Sequence, residues 1–140
     1  MNLKETIEAL NTIALEQPAV NQVIKSGNIY DLNEDRNVRF GVFCATQDIH
    51  NYDFNAGQNT FNFILYYTDR LKSDESNKIE IQSTGVEVLK NIIRTFVREY
   101  DVDIDTADFT VFTQSFSEKC AGVYTNISVA VDDDGCVEIF

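Results

Sequence analysis

The segment from residue 76 to residue 100 carries the strongest periodic pattern in this chain and constrains the fold more than any other segment. Apolar residues within it are separated by alternating steps of three and four, which places them on one stripe of an α-helix. They are Val86, Leu89, Ile93, Phe96 and Tyr100. A second apolar row, made of Ile81, Val88 and Ile92 with Gly85 between them, lies beside the first. A helix that packs on one sheet needs a stripe only about 100° wide, so the second row predicts another contact, with a second helix or a second subunit.

The N-terminal segment predicts a second amphipathic helix, from about residue 2 to residue 16. Asn2 with Glu5 three residues later forms a capping pattern, and Pro18 ends the helix because its ring disfavours the α conformation in the preceding residue. Residues 20–30 combine β-branched side chains with Gly27, which favours a strand or a bent hairpin arm over a further helix.

Four segments alternate with the period of two that is expected of β-strands. They cover residues 38–45, 61–67, 109–114 and 123–131. Asp134 and Gly135 then predict a tight hairpin, after which residues 136–140 return as a short edge strand. The order of these elements predicts a single α+β domain over residues 1–140, in which an antiparallel or mixed sheet packs against one long helix and an N-terminal helix.

The chain is strongly acidic, with 23 Asp and Glu against 11 Lys and Arg and a net charge of −12. Binding to a phosphate backbone needs clustered cations, so this balance opposes a role in gripping nucleic acid. The acidic excess fits two interpretations: it keeps the protein soluble, or it lines a passage through which nucleic acid slides without sticking. The sequence has no apolar run of about 18 residues and no signal-peptide pattern at its start, which predicts a soluble protein with no membrane partner.

Residues capable of catalysis or metal binding form no recognisable constellation in the sequence. The spacing of Cys44, Cys120 and Cys136 matches no zinc pattern and predicts three buried free thiols. His50, the only histidine, lies in a polar segment, whereas Cys44 is expected to point inward, so a Cys/His pair is disfavoured. Phosphate-binding glycine motifs are absent as well. We therefore expect no catalytic residue, no metal and no cofactor.

Residues Asp48–Asn59 form a polar segment that predicts a loop long enough to reach a neighbouring molecule. Two groups of residues are therefore candidate subunit contacts. The first group is the helical row, and the second lies in the predicted loop: Ile81, Val88 and Ile92, then His50, Tyr52 and Phe54.

Five segments of the chain resemble a family of small virion proteins encoded by phages and prophages of Bacteroides and its relatives. The segments are Gln17–Val20 (QPAV), Val38–Phe43 (VRFGVF), Asn62–Leu71 (NFILYYTDRL), Ile79–Ile93 (IEIQSTGVEVLKNII) and Phe112–Val123 (FTQSFSEKCAGV). The specificity of the resemblance lies in their number, order and spacing, because none of them has a known chemical role. The order of elements also resembles that of phage tail-terminator and head–tail connector proteins.

This resemblance implies a tail-terminator-like fold and a structural function. The chain is expected to form a ring, commonly of six copies or a multiple of six, at the joint between capsid and tail. The expected neighbours are portal, connector or tail-tube proteins, and the genome is expected to pass through the ring without specific binding. The implied location is the virion, and the host cytoplasm during assembly. The resemblance carries no catalytic residues over to this chain.

A different class of function is also compatible with the residues. In this alternative, the chain is a monomeric prophage or bacterial adaptor that uses the Asp48–Asn59 segment to hold a protein ligand.

Overall fold

A computed structural model describes residues 1–33, 38–104, 106–116 and 118–132 of the chain. Two helices pack on a five-stranded sheet in these residues. In chain order the elements are helix α1 (Leu3–Leu15), strand β1 (Gln22–Val23), a 3-10 helix (Ile29–Asn33), strands β2 (Val42–Asp53) and β3 (Gln58–Arg70), helix α2 (Lys78–Tyr100), and strands β4 (Phe109–Ser115) and β5 (Lys119–Asp132).

The sheet is mixed, which is one of the two arrangements, antiparallel or mixed, that the sequence predicts. Its strand order is β1-β2-β3-β5-β4, so β1 and β4 form the two edges. The short β1 runs parallel to β2, whereas the other three neighbouring pairs are antiparallel. The predicted α+β fold, with a long helix and an N-terminal helix on a mixed sheet, is thus confirmed.

Helix α1 begins at the predicted cap. The Asn2 side chain accepts a hydrogen bond from the Glu5 backbone N–H at 2.8 Å, and the Glu5 carboxylate accepts one from the Asn2 N–H at 3.2 Å. This reciprocal pair satisfies two backbone donors that a helix end otherwise leaves unbonded. The helix ends at Leu15, close to the boundary that Pro18 predicts.

Both helices contribute to one core on one face of the sheet. Helix α1 contacts β1 and β2, helix α2 contacts β3 and β5, and the two helices contact each other. Gly85 allows α2 to approach closely, because a Cβ atom there would lie 2.9 Å from Val123 Cγ2 and 3.0 Å from Tyr67 Cδ1. Helix α2 therefore packs against β3, β5 and α1 of the same chain, and these contacts complete the core.

The second apolar row of α2 lies inside this core. Ile81 and Val88 are 5% exposed and Ile92 is fully buried, all three in the cluster that α1 and the sheet complete. The expectation that this row contacts a second subunit is wrong for the domain described here. The additional contact that its width predicts comes instead from α1 in the same chain.

The opposite face of the sheet carries a smaller cluster near its β1 edge. Its buried members are Ile24, Ile29, Leu32, Val42 and Cys44. The segment predicted as a strand or hairpin arm over residues 20–30 is thus a two-residue strand followed by the start of a 3-10 helix that covers this face.

Two strand predictions need correction, and one lies outside the described residues. Strand β2 begins at Val42 rather than at Val38, and it continues to Asp53. The predicted loop Asp48–Asn59 is therefore the end of a β-hairpin, formed by β2 and β3. The hairpin predicted at Asp134 and Gly135 falls in residues that the structure does not describe.

Two of the three predicted free thiols are buried as expected. Cys44 and Cys120 are both inaccessible to solvent, and neither forms a disulfide. Burial raises the pKa of the Cys44 thiol from 9.0 to about 11, and it raises the pKa of Cys120 to the same value. Cys136 falls outside the described residues.

Substitution of Ile92 by Asp is expected to unfold the monomer rather than only weaken its association with other copies. The change buries a carboxylate without a partner, which costs several kcal/mol or more against a total stability of about 5–15 kcal/mol. Circular dichroism at low protein concentration measures the loss of folded protein. Asn91→Asp, which changes the exposed neighbouring residue, is the matched control. A folded Ile92→Asp monomer would contradict the burial of this row.

The buried thiols predict a loss of stability at alkaline pH. The pKa of Cys44 in the folded chain exceeds the ordinary value of 9.0, so the folded state keeps this proton to higher pH than the unfolded chain. The free energy of unfolding therefore falls as the pH rises from 9.0 to about 11. Urea unfolding across this range should give a steeper decline for the natural chain than for Cys44→Ala. Parallel declines for the two proteins would show that Cys44 does not contribute.

Candidate assembly interface

The hairpin formed by β2 and β3 extends well beyond the edge strands of the sheet. Pairing between β2 and β3 continues to Asp53 and Gln58, and β5 accompanies β3 as far as Asp132. Strand β1 pairs only with the first two residues of β2, so residues 47–53 have one open edge among the residues that the structure describes. We call residues 48–62 of this hairpin the arm.

The turn at the end of the arm is held by its own side chain. The Asp53 carboxylate accepts hydrogen bonds from the backbone N–H groups of Asn55 at 2.9 Å and Ala56 at 3.1 Å. The Gly57 N–H donates to the Asp53 carbonyl at 2.8 Å. An Asp side chain that caps the amides following it is a common way to fix a tight turn. The exposed tip thus has a defined conformation.

A β-bulge at Asp48 and Ile49 sets which side chains share a face of the arm. Gln47 pairs with Phe63 and His50 with Phe61, so two residues of β2 lie opposite the single residue Asn62. The Asn62 side chain donates to the Ile49 carbonyl at 2.7 Å, which satisfies an acceptor at the irregular position. The extra residue shifts the alternation of side chains by one.

The three predicted loop residues line up on the arm, because residues two apart share a face of an extended segment. His50 packs edge-on against the buried Phe61 with ring centroids 4.6 Å apart, and its Nε2 lies 2.9 Å from Asn59 Oδ1. Tyr52 follows on the same face and packs edge-on against Phe54 at 4.8 Å. The predicted grouping of His50, Tyr52 and Phe54 is thus present in space, although on a hairpin rather than a loop.

Three of the eight large apolar residues that are exposed in the described part of the chain lie on the arm. Phe54 is 88% exposed, Ile49 64% and Tyr52 36%, all within six consecutive positions. Ile49 was not among the predicted contacts. The arm also carries Asp48 and Asp53 and contains no Lys or Arg. Clustered exposed apolar residues rimmed by polar ones are typical of a surface that binds another protein.

The helical group of predicted contacts does not join this surface. Ile81, Val88 and Ile92 are buried on α2, whereas the predicted contacts on the arm are exposed at the far end of the β2–β3 hairpin. The candidate interface therefore consists of the arm alone.

The residues weighed as a catalytic pair lie on opposite faces of the sheet. Cys44 pairs with Tyr66 and packs in the smaller cluster, whereas His50 pairs with Phe61 on the helix side. Cys44 is instead within 3.7 Å of Thr46 Oγ1. No group of three or more His, Cys, Asp or Glu side chains within metal-binding reach occurs in the described part of the chain. The geometry therefore offers no nucleophile–base pair at Cys44 and His50.

Neither of the two helices in the described ranges has a stretch long and apolar enough to cross a membrane.

Comparison with protein-family models and with the curated proteins gave no match to this chain.

Proposed function

We propose that this chain is a structural virion protein that assembles into a ring at a phage head–tail joint, as a tail terminator or a connector. The observation that carries the proposal is the arm, a conformationally fixed hairpin that presents Ile49, Tyr52 and Phe54 to solvent. A small soluble domain gains nothing from exposing such residues in isolation, since their burial against a partner releases bound water.

The position of the arm in the sheet is compatible with a ring of copies. The arm extends from β2 and β3, and strand β4 lies at the other edge of the sheet. An arm that contacts a different surface on the next copy makes a head-to-tail contact, and such contacts close into a ring when the rotation between copies permits it. The resemblance to phage tail-terminator and connector proteins implies the same arrangement, commonly with six copies.

The net charge of −12 per copy supports passage of DNA through such a ring. Several copies around one axis give a strongly negative lumen, and phosphate groups are repelled from its wall. The genome then moves through the collar without being held. The protein acts through shape, symmetry and surface charge, and the proposed neighbours are the portal, connector or tail-tube proteins. It is assembled in the host cytoplasm and resides in the virion.

The same arm also suits the adaptor function, in which a monomer holds a different protein. The two functions differ in what the purified chain does alone. Ring formation requires that the protein self-associate, whereas an adaptor stays monomeric at any accessible concentration.

Size-exclusion chromatography with light scattering, together with electron micrographs, is expected to show rings of six copies or a multiple of six. Phe54→Ser should lower the fraction assembled at a given concentration at least tenfold, because it removes the most exposed aromatic side chain of the arm. Ile79→Ser is the matched control, since Ile79 is 71% exposed but lies in the first turn of α2, outside the arm.

A strictly monomeric natural chain would overturn the ring and favour the adaptor. Equal loss of assembly in Phe54→Ser and Ile79→Ser would show that general surface apolarity, rather than the arm, drives association.

A further inference from the structure

Strand β5 has an open edge where it runs along the arm. Residues 120–125 of β5 lie between β3 and β4, whereas residues 126–132 pair only with β3 among the strands of the described residues. In an antiparallel strand, every second residue directs its backbone N–H and C=O groups to the same side. About half of the backbone groups of residues 126–132 therefore point to a side on which no described strand pairs with them.

A cavity of about 440 Å³ borders this open edge. Ala130, Val131 and Asp132 at the end of β5 form one part of its wall, and residues 100–103, at the end of α2 and beyond it, form another. Asp132 is also the last residue of β5. The residues that follow it in the chain therefore start at the wall of this cavity.

We infer that residues 133–140 of the same chain turn back and pair with the open edge of β5 as a sixth strand of the sheet. The inference does not depend on the proposed ring, because the segment and the edge belong to one chain. It commits to this segment as the occupant on the basis of its starting point, its length, its turn residues and its apolar pattern.

The length of the segment matches the length of the open edge. Residues 133–140 provide three residues for a turn and five for a strand. Five extended residues span about 17 Å at a rise of about 3.3 Å per residue. Such a strand reaches back along residues 128–132, which lie within the open part of β5.

The turn residues allow two registers that differ by one residue. A two-residue loop at Asp134 and Gly135 places Ile139 opposite Ala130. A three-residue loop that starts one residue earlier, with Gly135 in the left-handed conformation, places Ile139 opposite Val129. Because side chains alternate along a strand, the two registers put every side chain of the segment on opposite faces of the sheet.

The burial pattern of β5 selects the three-residue loop. Val129 is fully buried and Val131 partly buried, both packed in the core on the helix side, whereas Ala130 between them is exposed on the other face. With the three-residue loop, Val137 and Ile139 lie beside the two valines and extend the apolar side of the sheet. The two-residue loop would instead leave both of these apolar side chains on the exposed face.

The same register keeps the acidic side chain of the segment in solvent. Glu138 then lies beside the exposed Ala130. The two-residue loop would turn Glu138 to the helix side, where Asp101 and Asp103 line the cavity. Like charges held close together disfavour the ionised forms, so the electrostatic and the apolar arguments select the same register.

A sixth strand in this position leaves the arm with one open edge. Residues 47–53 of β2 have no partner strand on their outer side among the described residues, whereas the edge of β5 is covered. An open edge can pair with a strand of another molecule, and covering one edge prevents such pairing there. A partner strand that extends the sheet of the arm can then do so only at β2.

Two double-cysteine variants test the inference, each in a chain that also carries Cys136→Ser. Ala130→Cys with Glu138→Cys puts both thiols on the exposed face, where glutathione disulfide can oxidise them. Ala130→Cys with Ile139→Cys is the matched control, because position 139 then lies on the other face and a disulfide needs Cβ atoms about 3.5–4.5 Å apart. The first pair should form an intrachain disulfide at least about tenfold faster than the control pair.

The measurement combines thiol counting with a non-reducing gel. Alkylation after denaturation gives the number of thiols that remain, and the gel separates disulfides within one chain from disulfides between chains. Cys44 and Cys120 are buried and should stay reduced in both variants.

Each of three results would overturn the inference. Faster oxidation of the control pair would contradict the register. Equal rates for the two pairs would show that the segment holds no fixed position on β5. Disulfides that form mainly between chains would show that the segment reaches another copy. None of these results bears on whether the natural chain forms rings, so failure of this inference and failure of the proposed function are distinguishable.

Hydrogen exchange followed by NMR provides a second readout, on the edge itself. The amides of residues 128–132 that point away from β3 should exchange at least about tenfold more slowly in the 140-residue chain than in a chain that ends at Asp132. Residues 58–62 of β3, which pair with residues 128–132 on the other side, are the internal control and should change little. Equal exchange of the edge amides in the two chains would overturn the inference.

Discussion

The close approach of α2 to the middle of the sheet at Tyr67 is the contact on which the rest of this structure depends. The Tyr67 ring is 2% exposed and lies on the central strand β3, where Gly85 of α2 packs against it. On its other side, a Cβ atom at Gly41 would lie 2.6 Å from the Tyr67 hydroxyl oxygen. Burial raises the pKa of this hydroxyl to about 12, and the group donates to the Ala19 carbonyl at 3.5 Å. The Tyr67 side chain thus packs between the long helix and the segment that leads into β2.

This packing decides where apolar residues can be used for association. Both apolar rows of α2 pack within the chain, since this helix contacts β3, β5 and α1. The part of β2 beyond Gln47 lies past these contacts and has an open edge among the described residues. Apolar side chains placed on that part of the chain, such as Ile49 and Phe54, are not needed for the core. Their exposure supports the proposed contact of the arm with another molecule.

The parts of this fold that follow from local periodicity could be predicted from the sequence. Helix α2 lies within two residues of its predicted start, and α1 begins at its predicted cap. What periodicity cannot give is the identity of the surface that covers an apolar face. Ile92 has the same spacing whether it meets a helix of its own chain or a second subunit.

The arm was missed as a strand for a related reason. A β-bulge at Asp48 and Ile49 breaks the alternation, and the residues of β2 that follow are exposed on both faces, so no buried period of two marks them as a strand. A polar segment that contains a one-residue bulge has the same composition as a loop. The grouping of His50, Tyr52 and Phe54 could still be predicted, because residues two apart share a face in any extended segment.

The acidity of the chain sets a condition that any self-association must meet. Copies with a net charge of −12 repel one another, so a contact based on apolar area alone works against the field of both molecules.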